Sequence, residues 1–514
     1  MTAKTVMVMG TSSSAGKSLL TTALCRCFAR RGLRVAPFKA QNMSNNAAVC
    51  ASGAEIGRSQ ALQAVAAGVP ADSDMNPILL KPEGQTRSQV IVNGRPLQTL
   101  EANDYFQRRQ QLWPHVTAAL DRMRERYDVV VIEGAGSPAE LNLAELEMVN
   151  MSVARYCQSP VLLIGDIERG GVFAQLLGTL WLLPPEDRRL VAGLIVNKFR
   201  GDLSLFDSGV EILQQRGGVP VLGVLPWIDA LRLPEEDAVA LDSPAASESN
   251  HAGDRLQIAV VRLPHIANFD DFDPLARTPG VHLRYVRSME ELNDSDVVIL
   301  PGTKNTLGDL AWLQQSGLAK RIVQLAQRGT QIVGICGGYQ MLGRRILNPD
   351  GLENGIPHAD GLGLLPTETT FHPAKLTRQV QFELVDDSLA PGARGAILSG
   401  YEIHCGQTAP RLPWLCRHSN NDVADAQARD GSRSDDGRVW GCYLHGLFHN
   451  DAFRTAWLNH LGIGSITDQD LSADEQLHRS LDRLADAFEA HINMDQLMNL
   501  VLDSNPTPEP QHVA

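Results

Sequence analysis

A cysteine set among glycines is the first group in this chain that could do covalent chemistry. Residues 331–343 read QIVGICGGYQMLG: an apolar run, then Cys336, then Gly337 and Gly338, then Tyr339 to Leu342 at helical spacing. A strand that turns at once into a helix around a nucleophile is the layout of a nucleophile elbow. The small neighbours permit the tight turn, and the helix N-terminus favours thiolate. The competing reading is a buried, inert cysteine. A histidine decides between them, because a thiol attacking an amide needs a base that takes its proton and returns it to the leaving amine. His445 ends the apolar run WGCYLHG and can project over a sheet edge; His404, in GYEIH, is the second candidate. The backbone N–H groups of Gly302 and Gly337, each just after a strand, are candidates for an oxyanion hole. Cys–His hydrolysis of an amide is the reading of this half.

A second kind of chemistry is written near the start. The apolar run Val6 to Met9 leads into GTSSSAGKS at 10–18, and a helical pattern follows from Leu19 to Arg31. Strand, glycine/serine loop, lysine and helix form a phosphate cradle. Backbone N–H groups and the helix N-terminus bind phosphate oxygens, the lysine reaches the outer phosphates and the serine hydroxyl reaches Mg²⁺. Gly10, Thr11, Gly16, Lys17 and Ser18 are therefore the nucleotide-binding candidates. The strict pattern places glycine where this chain has Thr11, one residue after Gly10.

These groups need elements to hold them. The runs 128–132, 160–165 and 191–196 are almost wholly apolar, as parallel strands covered on both faces are, and each ends in polar residues. Ligands in such sheets lie beyond the carboxyl ends of the strands. That makes Ser18, Glu133 and Asp166 the candidate Mg²⁺ ligands and Asn197 the candidate contact to the nucleotide base, although an acid there can equally cap a helix. The polar run KAQNMSNN at 39–46 suits hydrogen bonding to a substrate rich in carboxylates and amides, and 88–94 signals a hairpin inserted in the α/β pattern. Leu307 to Arg328 reads as one helix, and the aspartate-rich stretch 419–437 as a mobile insertion.

Length and composition set the frame. At 514 residues the chain exceeds one core. Its expected parts are a P-loop synthetase domain over 1–235, a linker over 236–255, an amide-hydrolysing domain over 256–455, and C-terminal helices with a tail over 456–514. A net charge of −13 argues against a nucleic-acid or anionic-membrane binder. Eight cysteines without a CxxC pair fit reduced thiols. No run is long enough for a membrane helix and the first residues read as a buried strand, so a cytoplasmic location is expected.

Nine stretches in order, GTSSSAGKS, KAQNMSNN, VVIEGAGSPAELNL, GDIERGGVFAQLLGT, VNKFRGD, LPGTKNT, GICGGYQMLG, GYEIHCG and YLHGLF, span about Val6 to His449. Together they resemble the cobalamin-pathway glutamine amidotransferases, in which a dethiobiotin-synthetase-like ATPase domain is fused to a triad-type glutaminase. The resemblance implies an α/β fold: a P-loop parallel-sheet ATPase domain followed by an α/β class I glutamine amidotransferase domain. It implies ATP and Mg²⁺ as cofactors, glutamine as the nitrogen source with Cys336 as nucleophile and His445 as base, and a corrinoid substrate. Two members of that group act on the same ring. One amidates carboxylates b, d, e and g of adenosylcobyrinic acid a,c-diamide to give adenosylcobyric acid; the alternative makes the a,c-diamide itself. The run at 39–46 favours the first. Triad glutaminases usually carry an acid two residues after the histidine, where this chain has Leu447. Either Glu402 orients the imidazole from another strand or the site works as a Cys–His dyad. A nucleotide-switched positioning ATPase is disfavoured, since its signature lysine would fall at Ser12.

Overall fold

The computed structural model describes residues 2–502 apart from 85, 102–103, 106–107, 230, 232, 235–255, 354, 419–427 and 464–471. The expected linker therefore lies outside the described residues. Two six-stranded sheets dominate the described chain. In the first, all strands are parallel, in the order Val221–Pro226, Val191–Phe199, Val161–Asp166, Lys4–Gly10, Val129–Glu133, Val35–Phe38. The phosphate loop thus leaves the central strand, with the carboxyl ends of the strands bearing Glu133 and Asp166 on either side. The second sheet runs Val281–Val286, Leu256–Val261, Val297–Leu300, Gln331–Ile335, Val439–Cys442, Ser432–Arg433, and only the last pairing is antiparallel. Near-continuous Val, Ile and Leu fill both, because helices cover both faces.

Two further sheets, each built largely of antiparallel pairs, position the sites. A four-stranded sheet of Gln41–Met43, Ile78–Pro82, Arg87–Val92 and Arg95–Glu101 grows out of the first half. Its last hairpin turns at Asn93 and Gly94, both at positive φ, as the 88–94 pattern predicts. In the second half the long strands Glu368–Leu384 and Ile397–Thr408 pair antiparallel and carry Glu402 and His404.

Three expectations change. The helix expected over 307–328 is two, Thr306–Gln315 and Leu318–Gln327, broken where Gly317 takes a φ of 79°. The stretch expected to be mobile over 419–437 is ordered from 428 onward, because Arg429–Asp430 and Ser432–Arg433 each pair with a neighbouring strand. The C-terminal helices do not stand together. Asp451–His460 packs into the second half through Phe453, Trp457 and Leu458. Ala473–His491 and Met494–Leu502 return to the first, burying Leu481, Leu484, Phe488 and Leu497 against the same core as Leu24 and Phe28. Arg26 and Arg30 of helix Lys17–Arg30 both bond Asp482 at 2.8 Å.

Candidate active site

Cys336 closes strand Gln331–Ile335 and caps helix Gly337–Leu342 with a φ of 50° and ψ of −106°. A side chain rarely adopts a positive φ, and such strain marks nucleophile elbows. The turn is possible because a Cβ at Gly338 would lie 1.9 Å from the Leu300 carbonyl oxygen. The thiol is 7% exposed, faces the Ile403 carbonyl at 3.6 Å, and lines a compact cavity with Gly302, Gly337, Gln340, His404 and His445. No acceptor for the N–H of Gly302 or Gly337 occurs among the described residues, so both are free to meet a developing oxyanion.

His445 is fully enclosed. Its Nδ1 lies 2.7 Å from Asp271 Oδ2, whose other oxygen accepts the Gly446 N–H at 2.8 Å, and Tyr401 stacks on the ring at 5.1 Å. Burial alone would lower the imidazole pKa; the charges of Asp271 and the Cys336 sulfur outweigh it and push it up to about 10. Asp271 pins Nδ1, so Nε2 is left to face the thiol side.

The acid on His445 is therefore Asp271, and the expectation for Glu402 is corrected, as is the dyad alternative. Glu402 accepts from Arg378 Nε at 2.6 Å, with His404 and Arg417 beside it. Burial favours its neutral form, but His404 and Arg378 overcome this and hold the carboxyl below its usual range. His404 lines the cavity, yet its Nδ1 is bound to the Gly406 carbonyl and its ring is stacked on Tyr443 at 3.8 Å. Sequence reading missed Asp271 because it lies 174 residues before its histidine. The one local signal is the dense polar run around it, NFDDFD at 268–273.

At the phosphate loop Lys17 is buried, its ammonium bound to the carbonyls of Ser12 at 2.8 Å and Gly136 at 2.9 Å. Ser18 Oγ donates to Glu133 at 2.8 Å. Glu133 also receives Lys39 at 2.8 Å and Gln63 at 2.6 Å. Burial pushes the Glu133 pKa up, but Lys39 and these hydrogen bonds prevail and hold it below the carboxylate range. Asp166 accepts Lys198 at 2.8 Å, and that lysine also bonds the Ser14 carbonyl. Thr11 Oγ1 donates to Gln175.

Asn197 braces the loop: its amide donates to the Ala15 carbonyl at 2.9 Å and its oxygen accepts the Lys198 N–H. A Cβ at Gly16, whose φ is 101°, would come 2.3 Å from that amide. Within the run at 39–46, Asn42 bonds Gln60 and Asn46 accepts the Phe269 N–H of the second half, while Gln41 and Met43 line a cavity beside the phosphate loop.

The chemistry suits a magnesium ion in part. Among the described residues no group of three acidic, histidine or cysteine side chains could enclose a metal. Mg²⁺ bound with nucleotide needs only one or two protein oxygens, because phosphates and waters supply the rest. Ser18 and Glu133, already in contact, fit that requirement. Asp166, paired with Lys198, stands on the far side of the loop.

The halves interlock around the cysteine cavity. Lys375 bonds Glu55 at 2.9 Å, Lys304 bonds Glu83 at 2.6 Å, Arg58 bonds Asp270 at 2.7 Å and the Ala47 N–H donates to Asn268 Oδ1 at 3.0 Å.

A nucleotide cradle fused to a strained, histidine-backed cysteine defines a glutamine amidotransferase with its own nucleotide-binding domain. Residues 6–240 match the CobQ/CobB/MinD/ParA nucleotide binding domain, and residues 257–453 match the CobB/CobQ-like glutamine amidotransferase domain. The chain is 58% identical over 466 residues to Cobyric acid synthase of Roseiflexus castenholzii, covering 90% of this chain and 92% of that protein. It is 54% identical to that of Chloroflexus aurantiacus, covering 97% and 100%. With the Sorangium cellulosum relative the identity is 48%, covering 98% and 99%. The chain belongs to the cobyric acid synthase family, glutamine-dependent ligases of cobalamin biosynthesis. Among the described residues no helix is long and apolar enough to cross a membrane.

Proposed function

We propose that the chain amidates carboxylates b, d, e and g of adenosylcobyrinic acid a,c-diamide, giving adenosylcobyric acid, with glutamine as nitrogen donor and ATP as activator. The observation that carries this reading is the near-full-length likeness to proteins named Cobyric acid synthase.

In the glutaminase site His445 takes the Cys336 proton while Asp271 holds Nδ1. The sulfur attacks the carboxamide carbon of glutamine, and the N–H groups of Gly302 and Gly337 receive the oxyanion. His445 then protonates the leaving nitrogen, releasing ammonia and a γ-glutamyl thioester that water hydrolyses. A carboxylate is a poor acyl donor, so in the first half the γ-phosphoryl of ATP passes to a substrate carboxylate and ammonia displaces phosphate. Lys17 leaves its carbonyl partners to meet the outer phosphates, and Ser18 with Glu133 holds Mg²⁺. A bound Mg²⁺ supplies charge neutralisation to the phosphates.

Beside this loop lies a largely apolar cavity of about 290 Å³. Leu80, Val90 and Leu100 give it an apolar wall, and Arg109, Gln41 and Asn150 give it polar points. It borders Gly136, whose carbonyl holds Lys17. A cavity of this size takes one edge of a corrin macrocycle, not the whole ring. That suits a substrate whose reacting carboxylates sit at several points on the perimeter.

Incubation with glutamine, ATP, Mg²⁺ and the a,c-diamide, followed by product mass, tests the reading. Four added amides are expected. No change to the diamide, with conversion of cobyrinic acid to its a,c-diamide, would instead make the chain cobyrinic acid a,c-diamide synthase.

A further inference from the structure

The Cys336 cavity is not built by the second half alone. Lys81 and Gln89 of the first half reach it, and they face each other across the hairpin formed by Ile78–Pro82 and Arg87–Val92. Their neighbours Leu80, Ser88 and Val90 line the apolar cavity beside the phosphate loop. Successive side chains of a strand point to opposite faces. These two strands are therefore a wall one sheet thick, with the cysteine cavity on one side and the cavity assigned above to the acceptor on the other.

Both groups on the cysteine side are chemically unfinished. Lys81 is 2% exposed, and its ammonium lies 3.4 Å from Glu55, a carboxylate that Lys375 engages more closely through both oxygens. Burial, only partly offset by Glu55 and reinforced by Lys375 and Lys304, lowers the Lys81 pKa to about 8. Among the described residues Gln89 Oε1, which is buried, has no hydrogen-bond partner. Several other polar groups of the cavity are engaged: Gln340 bonds Thr306 and Tyr443, Lys304 bonds Glu83, and Glu353 accepts the Leu307 N–H; His404 Nε2, like Gln89 Oε1, is not. A buried cation short of negative charge calls for an anion, and a buried bare acceptor calls for a donor. The end of glutamine remote from its carboxamide offers both, an α-carboxylate and an α-ammonium.

We propose that Lys81 binds the α-carboxylate of glutamine and Gln89 Oε1 accepts from its α-ammonium, so that the synthetase half reads the amino-acid end of a substrate cleaved by the other half. This rests on the glutaminase reading of Cys336. Glutamine then closes its pocket on the same two strands whose reverse face walls the acceptor cavity.

The test is steady-state glutaminase kinetics on the full chain with Lys81→Met and Gln89→Leu. Two competing amides serve as probes: glutaramate, which lacks the α-amine, and glutamine α-amide, which lacks the α-carboxylate. Each variant is expected to raise the glutamine KM about tenfold or more, with kcat changed by less than about threefold. Gln89→Leu should lose the preference for glutamine over glutaramate, and Lys81→Met the preference over the α-amide. A structural role would not sort the two probes in this way. Unchanged KM and preferences in both variants would overturn the proposal, as would a fall in kcat with preferences intact. If Lys81→Met fails to fold, Gln89→Leu alone decides. Should glutamine hydrolysis persist in Cys336→Ala, the glutaminase reading itself has failed.

Discussion

The two sites hold their charges in opposite ways. At Cys336 the arrangement is set before substrate arrives: a strained sulfur, an imidazole pinned through Nδ1 by Asp271, and two N–H groups without acceptors. At the phosphate loop the cations are parked. Lys17 rests on backbone carbonyls, Lys39 on Glu133 and Lys198 on Asp166. On the proposed function, catalysis at the first site depends on geometry that need not change, and at the second on partners being exchanged for phosphate oxygens. A neutral substrate can be met by fixed dipoles; a polyanion must be met by cations that stay paired, and so remain tolerable when buried, until it comes.

The largest test of this contrast separates the halves outright. Cys336→Ala should abolish glutamine-dependent amidation and leave amidation from added ammonia. Lys17→Ala should abolish amidation from either source while some glutaminase survives. Loss of both activities in either variant would show that the sites are not separable. Next in size, Asp271→Asn should cut glutaminase kcat by roughly 10²- to 10⁴-fold, as loss of a histidine-orienting carboxylate does in hydrolytic triads. It should also shift the pH profile. Asp271 raises the His445 pKa, so its removal moves the alkaline limb of the glutaminase profile to lower pH. The sign for stability follows. A folded pKa raised above the ordinary 6.5 contributes stability that is full below pH 6.5 and lost as pH rises through about 10. Thermal stability should therefore fall over that range in the native chain, and less so in Asp271→Asn.

Glu402→Gln sharpens the same point from the other side. Its partner is Arg378, so glutaminase kcat should fall by no more than about threefold. A loss equal to that of Asp271→Asn would restore Glu402 as the orienting acid. The smallest effect is expected at Asn197. Removing its brace with Asn197→Ala should raise the nucleotide KM by only a few fold, about 1 kcal/mol, since one hydrogen bond to a loop carbonyl is lost. Glutamine kinetics without acceptor should not change.

What could be read in the sequence follows from the same contrast. The phosphate loop is contiguous, so strand, loop and helix announce each other within 25 residues of chain, and the elbow at Cys336 is equally local. His445 was found because it ends an apolar strand. Asp271 was not legible, because only the fold of the second sheet brings residue 271 to residue 445. Asn197 and the run at 39–46 were legible as polar residues near a site, but the bonds by which Asn197 also holds the loop come only from the fold. Gly317 shows the limit for helices, where an apolar pattern can continue through a residue whose backbone ends the helix.

The return of the last helices to the first half makes the order of synthesis matter. The helix that begins at Lys17 lays its apolar face against Leu481, Leu484 and Phe488, which leave the ribosome more than 440 residues later. Until then the phosphate-binding half carries an uncovered apolar strip on the helix that positions its lysine. A chain cut short after the glutaminase half would keep that strip exposed, whatever the state of Cys336. The packing of the helix that begins at Lys17 thereby depends on segments made after the glutaminase half.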